Sequence, residues 1–400
     1  MEGKIDMLIF LNGTVVTPNL IIPDGAVAVE DYIIREVKPR SEVQVNENDT
    51  IIDARGGTIL PGFVDIHTHG AMGIDVSEAT LEDLHRLCRF LPSTGVTTFI
   101  PTTVTMPEEE VFQTLERFRI FLAQPHHPGE ARVAGIHLEG PFINPEQKGA
   151  HNPEYITLPD VRWAERLLTY ASIIKIITVA PELPGVLDLV SKLAQAGIVC
   201  SVGHSMAMEW DIAAGVQAGL RHVTHLMNNM NTLARVNMKR VAGTVESALV
   251  DDRLTAEVIA DRNILSPALF RLAYKVKGVK HLAAITDACP LTGLPPGDYL
   301  LWGRPVVLQQ DKVFLPDRSA FAGSVTTMDY SFKTLLDYFG LGLQEATYLA
   351  TATPATIIGQ AGHTGSLEPG KDADLVLLDP NFQVAATFIR GEMAYRRPAE

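Results

Sequence analysis

The chain has 400 residues and a mass of 43.6 kDa, enough for one large domain of about 250 residues and a smaller second one. Its hydrophobic content of 46% and charged content of 20% exclude a disordered or fibrous protein. The net charge of −14, with no basic and aromatic cluster to offset it, argues against nucleic acid as a partner.

The sequence also argues against a membrane or secreted protein. It begins without a basic region followed by an apolar core, and no stretch holds the roughly 18 uncharged apolar residues that a spanning helix needs. The cysteines, Cys88, Cys200 and Cys289, are widely spaced and odd in number, which suits a reducing compartment. We therefore expect a cytoplasmic protein without membrane contact.

Both ends of the chain carry short strand patterns separated by turn residues. Residues 5–60 include Leu8-Ile-Phe-Leu-Asn-Gly and Val27-Ala-Val-Glu, and residues 365–396 include Asp374-Leu-Val-Leu-Leu-Asp and Thr387-Phe-Ile-Arg-Gly-Glu. This similarity predicts one small β-sandwich domain assembled from residues 1–60 and 365–400. Residues 61–364 then form a second domain inserted between the two ends.

Residues 61–364 alternate short β-branched runs with amphipathic stretches, which is typical of repeated βα units. The strand-like runs are 62–67, 97–102, 133–139, 173–179, 197–203, 222–225, 254–260 and 281–287. Helical spacing is found in residues 81–91, 108–122, 161–170, 187–196 and 205–218, and again in 328–339 and 343–352. Eight parallel strands with helices between them predict an α/β fold, a (β/α)8 TIM-like barrel.

The active site of such a barrel lies where its strands end. The side chains found there are four histidines and two carboxylates: His67, His69, Glu139, His204, His225 and Asp287. Left unpaired in a partly buried site they would be costly, and a divalent cation removes that cost. We therefore predict a site for a divalent metal ion. Nitrogen and oxygen donors without thiolate suit zinc, which we expect, and also iron, manganese or cobalt.

Two residues at these strand ends allow other interpretations. His137 shares a strand face with Glu139, and we interpret it as a support for the ligands, the alternative being a core residue. Asp287 can take a proton from an activated water and deliver it to a leaving amine, as hydrolysis of an unactivated amide demands. The alternative is that Asp287 is only a passive ligand.

The motifs resemble, in order and over nearly the whole chain, the N-acetylglucosamine-6-phosphate deacetylase family of the amidohydrolase superfamily. The motifs are Pro61-Gly-Phe-Val-Asp-Ile-His-Thr-His69, His137-Leu-Glu-Gly-Pro-Phe142, Lys148-Gly-Ala-His-Asn152, Gly203-His204, Thr224-His-Leu-Met-Asn228, Thr286-Asp287-Ala, Ala322-Gly-Ser324 and Leu367-Glu-Pro-Gly-Lys-Asp-Ala-Asp374. The first marks only the superfamily, whereas His-Leu-Glu-Gly-Pro followed by Lys-Gly-Ala-His is specific to this branch.

The resemblance assigns roles to individual residues. It implies that Glu139, His204 and His225 bind the main metal, and that His67 and His69 can hold a second ion. It also implies that His151 polarises the acyl carbonyl and that Asp287 is the acid and base. The implied substrate contacts are Ala150, Asn228, Asn229, Phe321, Ala322 and Gly323. A homodimer is expected because the family's phosphate-binding arginine is donated across a dimer interface.

The chain departs from this family at the phosphate-binding positions. Where the family has a histidine after the seventh strand, the sequence reads Asp261-Arg-Asn-Ile264, and the family's arginine motif is replaced by Arg235-Val-Asn-Met-Lys-Arg240. A displaced Arg235, or Lys239 and Arg240, could substitute. Arg262 could refill the site or be a surface residue. A phosphate needs well-placed charged donors, so these changes weigh against 6-phosphate recognition.

The sequence thus predicts metal-dependent removal of the acetyl group from an N-acetyl amino sugar, with N-acetylglucosamine 6-phosphate as the expected substrate. The first alternative is an amidohydrolase for an unphosphorylated N-acyl hexosamine or another amide, such as a cyclic one. The second is a scaffold that kept the barrel and lost the chemistry, against which the complete ligand set and Asp287 argue.

Overall fold

Parallel strands are found at all eight predicted runs. In the computed structural model, which describes residues 6–318 and 321–398, they are Phe63–Thr68, Val96–Thr103, Ile136–Glu139, Ile174–Val179, Val199–Val202, Leu220–Val223, Ala256–Ile259 and Leu282–Ile285. The first six lie side by side in one curled sheet, extended by Arg132–Val133, and the last two pair with each other. The predicted α/β class is confirmed and its parallel sheet is curled, whereas the closure of all eight strands into one barrel stays a prediction.

Main-chain hydrogen bonds link the six-strand sheet to the last strand pair on both sides. The Thr255 amide donates to the Arg221 carbonyl at 3.0 Å and the Leu226 amide to the Glu257 carbonyl at 2.8 Å, which places the seventh strand beside the sixth. The Asp287 amide donates to the His67 carbonyl at 2.9 Å, which places the end of the eighth strand beside that of the first.

A helix is found at each of the seven predicted amphipathic stretches, and three further helices among the described residues, Thr244–Val250, Pro267–Lys277 and Ala352–Ile357, were not predicted. In chain order the helices are Leu81–Phe90, Glu108–Leu122, Val161–Leu168, Val186–Gln195, Glu209–Ala218, Thr244–Val250, Pro267–Lys277, Met328–Asp337, Leu343–Ala350 and Ala352–Ile357. Local sequence fixes their starts: the Thr80 hydroxyl and the Asp83 carboxylate form a capping box, and Ser266 caps a helix whose first residue is Pro267. Their apolar sides, such as Leu84 and Leu87, pack against buried strand residues such as Phe99. No helix among the described residues combines the length and the apolar character that crossing a bilayer requires.

The strand patterns at the two ends of the chain form a single sheet of eight strands. Its strands are Leu8–Val16, Ile21–Glu30, Ile33–Pro39, Thr50–Asp53, Thr58–Pro61, Leu375–Leu378, Val384–Ile389 and Glu392–Arg396. The two ends meet where Thr58–Pro61 pairs with Leu375–Leu378. The predicted β-sandwich is not confirmed, because the hydrogen bonds join these strands into one sheet. The division into domains at residues 60 and 365 stays a prediction.

An antiparallel sheet that the sequence patterns did not predict follows the eighth parallel strand. We call it the inserted sheet, and its strands are Gly297–Leu301, Arg304–Gln309, Lys312–Phe314 and Phe321–Ser324. The Cys289 amide donates to the Ser324 carbonyl at 2.8 Å, which ties the sheet to the chain just beyond Asp287. The inserted sheet therefore lies over the carboxyl ends of the parallel strands. A short unpredicted hairpin, Ala234–Val236 with Lys239–Val241, follows the sixth strand.

Candidate active site

The structure brings together all six side chains predicted at the strand ends. Glu139 Oε1 lies 3.0 Å from His204 Nε2 and 2.8 Å from His225 Nε2, and these two nitrogens are 3.1 Å apart. His69 Nε2 lies 3.3 Å from Glu139 Oε2 and 3.1 Å from Asp287 Oδ1. His67 Nε2 lies 3.6 Å and 3.4 Å from the same two carboxylate oxygens. Glu139 is therefore the centre of the cluster.

Three of these residues adopt a backbone conformation that is uncommon for residues other than glycine. The φ angles of His204, His225 and Asp287 are 48°, 32° and 48°, in the left-handed region. Each residue stands just beyond the end of its parallel strand. The reversal of φ turns the chain sharply there, and strain of this kind is common at functional sites.

Hydrogen bonds to the far side of three imidazole rings fix which nitrogen is free. Nδ1 of His204 faces the Gln147 carbonyl at 2.7 Å, and Nδ1 of His69 faces the Thr102 carbonyl at 3.0 Å. Nδ1 of His67 faces a carboxylate oxygen of Glu257 at 3.0 Å. Because these oxygens only accept, each Nδ1 carries the hydrogen, and in the neutral ring Nε2 presents a lone pair to the cluster.

Burial and charge oppose each other in the pKa values of the cluster. Burial disfavours the charged form of Glu139, but the neighbouring His67, His204 and His151 outweigh it and hold its pKa well below the usual range. Burial likewise opposes ionisation of Asp287, yet His67 and His69 lower its pKa. Burial also opposes protonation of His69, but hydrogen bonds to Asp287 and Glu139 raise its pKa to about 9. The two carboxylates therefore hold positive charge beside them.

A divalent cation fits this donor set. Nε2 lone pairs that face carboxylate oxygens repel them unless a proton or a cation lies between. Nε2 of His67 is buried and has no hydrogen-bond partner. Among the residues that the structure describes, three groups of three donors lie close enough to hold an ion: Glu139 with His204 and His225, Glu139 with His67 and His69, and His67 with His137 and Glu257. Carboxylate and imidazole donors of this kind suit zinc and the other expected metals.

His151 joins the cluster from the loop after the third strand. The Thr105 amide donates to its Nδ1 at 3.1 Å, so the hydrogen of the neutral ring is on Nε2. That Nε2 lies 3.3 Å from Glu139 Oε2. Burial lowers the pKa of His151 to about 4, although Glu139 opposes this shift. His151 is therefore a neutral ring whose N–H points into the cluster.

A cavity of about 220 Å³ opens above the cluster. Six of the predicted substrate contacts line it: Ala150, Asn228, Asn229, Phe321, Ala322 and Gly323. The inserted sheet supplies the last three of these, together with Ser324 and Trp302. Ile264, which stands where the family has a histidine, also lines the cavity. An apolar side chain therefore occupies the position of that expected phosphate ligand.

The two arginines predicted to contact the substrate do not line the cavity. The Arg262 guanidinium donates to the Thr334 hydroxyl at 3.2 Å and also pairs with Asp337, on the helix after the inserted sheet. Arg235 is exposed on the hairpin after the sixth strand. Arg262 is held in place by the helix, so the surface alternative describes its position better.

Sequence reasoning missed two residues near the cluster. Glu257, in the middle of the seventh strand, accepts hydrogen bonds from His67, from His222 Nε2 at 3.0 Å and from the His225 amide at 3.1 Å. A charged residue inside a buried strand was the signal for it. Trp302 stands with its ring centroid 5.4 Å from that of His69, and its Nε1 donates to Asp75 at 2.8 Å. It lies in the unpredicted inserted sheet, so no pattern pointed to it.

The chain is similar over nearly its whole length to sugar-phosphate deacetylases. The sequence pattern of the Amidohydrolase family matches residues 58–394. N-acetylglucosamine-6-phosphate deacetylase from Bacillus subtilis is 31% identical over 392 residues, 98% of either chain. N-acetylgalactosamine-6-phosphate deacetylase from Escherichia coli is 31% identical over 374 residues, 93% of this chain and 95% of the relative. The crystal structure of N-acetylglucosamine-6-phosphate deacetylase from Pasteurella multocida matches with a TM-score of 0.90 at 28% identity, covering 98% of this chain and 100% of that one.

Proposed function

Because this chain belongs to the N-acetylglucosamine-6-phosphate deacetylase family of amidohydrolases, we propose that it hydrolyses the acetamide of N-acetylglucosamine 6-phosphate. The products are acetate and glucosamine 6-phosphate. The observation that carries this proposal is the convergence of Glu139, four imidazoles and Asp287 at the base of the cavity. A scaffold without chemistry would have no reason to keep these groups buried together.

Glu139, His204 and His225 would hold the main metal ion, and His67 and His69 a second one. A bound divalent cation supplies Lewis-acid activation of a water molecule and of the acyl carbonyl. The Nδ1 hydrogen bonds of His204 and His69 support this assignment, because they orient both rings with their Nε2 lone pairs inward. Zinc is our first expectation, with iron, manganese and cobalt as alternatives.

Asp287 is the general base and then the general acid. Its lowered pKa keeps it ionised at neutral pH, so it can take the proton of the attacking water. Its side chain is 18% exposed, whereas that of Glu139 is 3% exposed, and it therefore has better access to substrate. After the tetrahedral intermediate forms, the same proton passes to the amine nitrogen and the C–N bond breaks.

His151 stabilises the oxygen of the acyl group. The ring is neutral at pH 7 because its pKa is lowered to about 4. The Thr105 amide donates to Nδ1, so the single ring hydrogen is on Nε2. A fixed donor of this kind stabilises the negative charge that develops on the carbonyl oxygen during attack. The sugar would lie against Asn228 and Asn229 and under the inserted sheet, where Phe321, Ala322 and Gly323 line the cavity.

A second candidate is the same hydrolysis on an unphosphorylated N-acyl hexosamine. Ile264 in the cavity wall and the contacts that hold Arg262 to the neighbouring helix favour it, because neither residue then offers a donor to a phosphate. A cyclic amide is a less favoured alternative.

We also propose a cytoplasmic homodimer in which a second chain completes the mouth of the site. The hairpin that carries Arg235 supports it. Leu233, Val236 and Met238 are 58%, 37% and 88% exposed there, and exposed apolar side chains beside an arginine are typical of an interface.

Within each chain, we propose that the eight parallel strands close into one barrel and that the terminal strands form a small separate domain. The hydrogen bonds between the two groups of parallel strands support the closure.

The test of function is a comparison of kcat/KM for four sugars after reconstitution with zinc, iron or manganese. The sugars are N-acetylglucosamine and its C4 epimer N-acetylgalactosamine, each with and without a 6-phosphate. The proposal expects acetate release that is fastest with N-acetylglucosamine 6-phosphate. Equal rates with and without phosphate would favour the second candidate, and no acetate release with any metal would refute both.

A further inference from the structure

We infer that Lys148 and Arg304 of the same chain bind the anionic group of the substrate, a phosphate monoester, at the mouth of the cavity. The inference rests on the proposed deacetylase function and names two residues to which nothing has assigned a role in that reaction. It also supplies donors for the phosphate in a chain where the expected donors are absent from the cavity. The chain has lost the phosphate histidine of its family at Ile264, and the guanidinium of Arg262 is held by Thr334 and Asp337.

Neither side chain is among the residues that line the cavity, but each residue lies within two positions of residues that do. Lys148 immediately precedes Gly149, Ala150 and His151, which all line it. Arg304 begins the second strand of the inserted sheet, two residues after Trp302, which also lines it. Arg304 Nη2 lies 3.4 Å from the His151 carbonyl, so it reaches across from the inserted sheet to the loop that follows Lys148.

The two cations lack an acidic partner in the part of the chain that the structure describes. Among residues 6–318 and 321–398, no carboxylate forms an ion pair with Lys148 or Arg304. Burial and the positive charge of Arg304 lower the pKa of Lys148, so the two positive charges repel each other. In a chain with 47 acidic and 33 basic residues, two half-buried neighbouring cations without an acid between them are an unusual arrangement. A dianionic ligand would remove the repulsion.

The chemistry of the substrate places its phosphate near this pair. The acetamide is on C2 of the sugar and the phosphate is on C6, on opposite sides of the ring. A sugar with its acyl group at Glu139 and His151 on the cavity floor would extend past Asn229, with its phosphate toward the mouth. Asn229 packs against Gly149, the residue after Lys148. Arg304 can offer two parallel N–H donors to phosphate oxygens, and Lys148 adds a point charge.

The experiment compares kcat/KM for N-acetylglucosamine 6-phosphate and N-acetylglucosamine in the zinc-loaded full chain and its variants. The variants are Arg304→Gln, Lys148→Gln and the double substitution. The control is Arg253→Gln, which removes the same charge just before the start of the seventh strand, at the other end of the parallel strands, where Arg253 pairs with Asp251. The inhibition constant of inorganic phosphate is measured on the same proteins.

We expect each substitution to lower the preference for the phosphorylated sugar by about 10- to 100-fold, the size of one charge-assisted hydrogen bond. Phosphate inhibition should weaken in parallel, and Arg253→Gln should change neither quantity. An unchanged preference in the double variant would overturn the inference while leaving the deacetylase function standing. A wild-type chain that releases acetate from neither sugar would instead overturn the proposed function, and this inference with it.

Discussion

Glu257 is not one of the six cluster residues, but it holds two of them, His67 and His225, by hydrogen bonds. Its substitution by glutamine should weaken metal binding. The carboxylate is fully buried and accepts hydrogen bonds from the rings of His67 and His222 and from the His225 amide, at 3.0, 3.0 and 3.1 Å. Burial opposes its ionisation, but the charge of His67 and the hydrogen bond from His222 hold the pKa of Glu257 below its usual range. It therefore carries its charge next to two candidate ligands.

Glutamine keeps the shape and removes both the charge and one acceptor. Its amide nitrogen will turn toward His222, because that ring can change tautomer against the Thr255 hydroxyl, which lies 2.7 Å from Nδ1. The remaining oxygen then faces the donors of His67 and His225 without a charge. A hydrogen bond to a charged group contributes about 1.5–3 kcal/mol and a neutral one about 0.5–1.5 kcal/mol, so losing the charge costs about 1 kcal/mol of unfolding free energy for each bond. Substitutions behind metal-binding histidines lower metal affinity about 10- to 100-fold.

The assay is a zinc titration of chelator-treated Glu257→Gln together with its denaturant unfolding, both without substrate. The matched control is Glu130→Gln, another buried glutamate, which pairs with His85 at 2.8 Å and Arg89 at 2.9 Å away from the cavity. Both variants should be less stable than the wild type, but only Glu257→Gln should bind zinc more weakly. Wild-type zinc affinity in Glu257→Gln would refute the reasoning.

Three further predictions concern single side chains. Asp287→Asn should lower kcat by at least about 100-fold and leave the metal content unchanged. Steady-state kinetics and elemental analysis measure the two quantities, and a near-normal kcat would contradict the role of Asp287 as base. Trp302→Ala should raise the rate on an N-butanoyl sugar relative to the N-acetyl sugar by about tenfold, since two more methylenes can be buried beside His69. An unchanged preference between the two acyl groups would show that Trp302 does not contact the acyl group. Burial lowers the pKa of Lys277 from 10.5 to about 8, so between these pH values the unfolded chain binds more protons and stability rises with pH, by about 3 kcal/mol. Lys277→Met should lack this rise in denaturant titrations from pH 7.5 to 10.5, and parallel curves for the two proteins would exclude the assignment.

The parallel strands and the cluster could be predicted because their signals are local. A strand-length β-branched run identifies each strand, and the residue at its end, such as His204 or His225, is set by position alone. The convergence of these residues then follows from the topology. The same reasoning does not reach Glu257, because its partners come from three other positions in the chain and only the assembled strands bring them together.

The inserted sheet and the arginines show where sequence patterns are insufficient. The strands of the inserted sheet are short and mostly half-exposed, so their alternation of apolar and polar residues is weak. The position of Arg262 depends on Thr334 and Asp337, more than seventy residues later, which no local pattern specifies. Likewise, the single terminal sheet depends on long-range pairing between the two ends of the chain.

The left-handed backbone of His204, His225 and Asp287 has a consequence for how this protein can change. A residue other than glycine in that region costs about 1–2 kcal/mol, so glycine at any of the three positions would relax the chain. Glycine there would also remove a buried imidazole or carboxylate and leave its partners unpaired, which costs about 3–5 kcal/mol. The strain therefore persists because the contacts of these side chains outweigh it, and heating a library should not enrich glycine at these three turns.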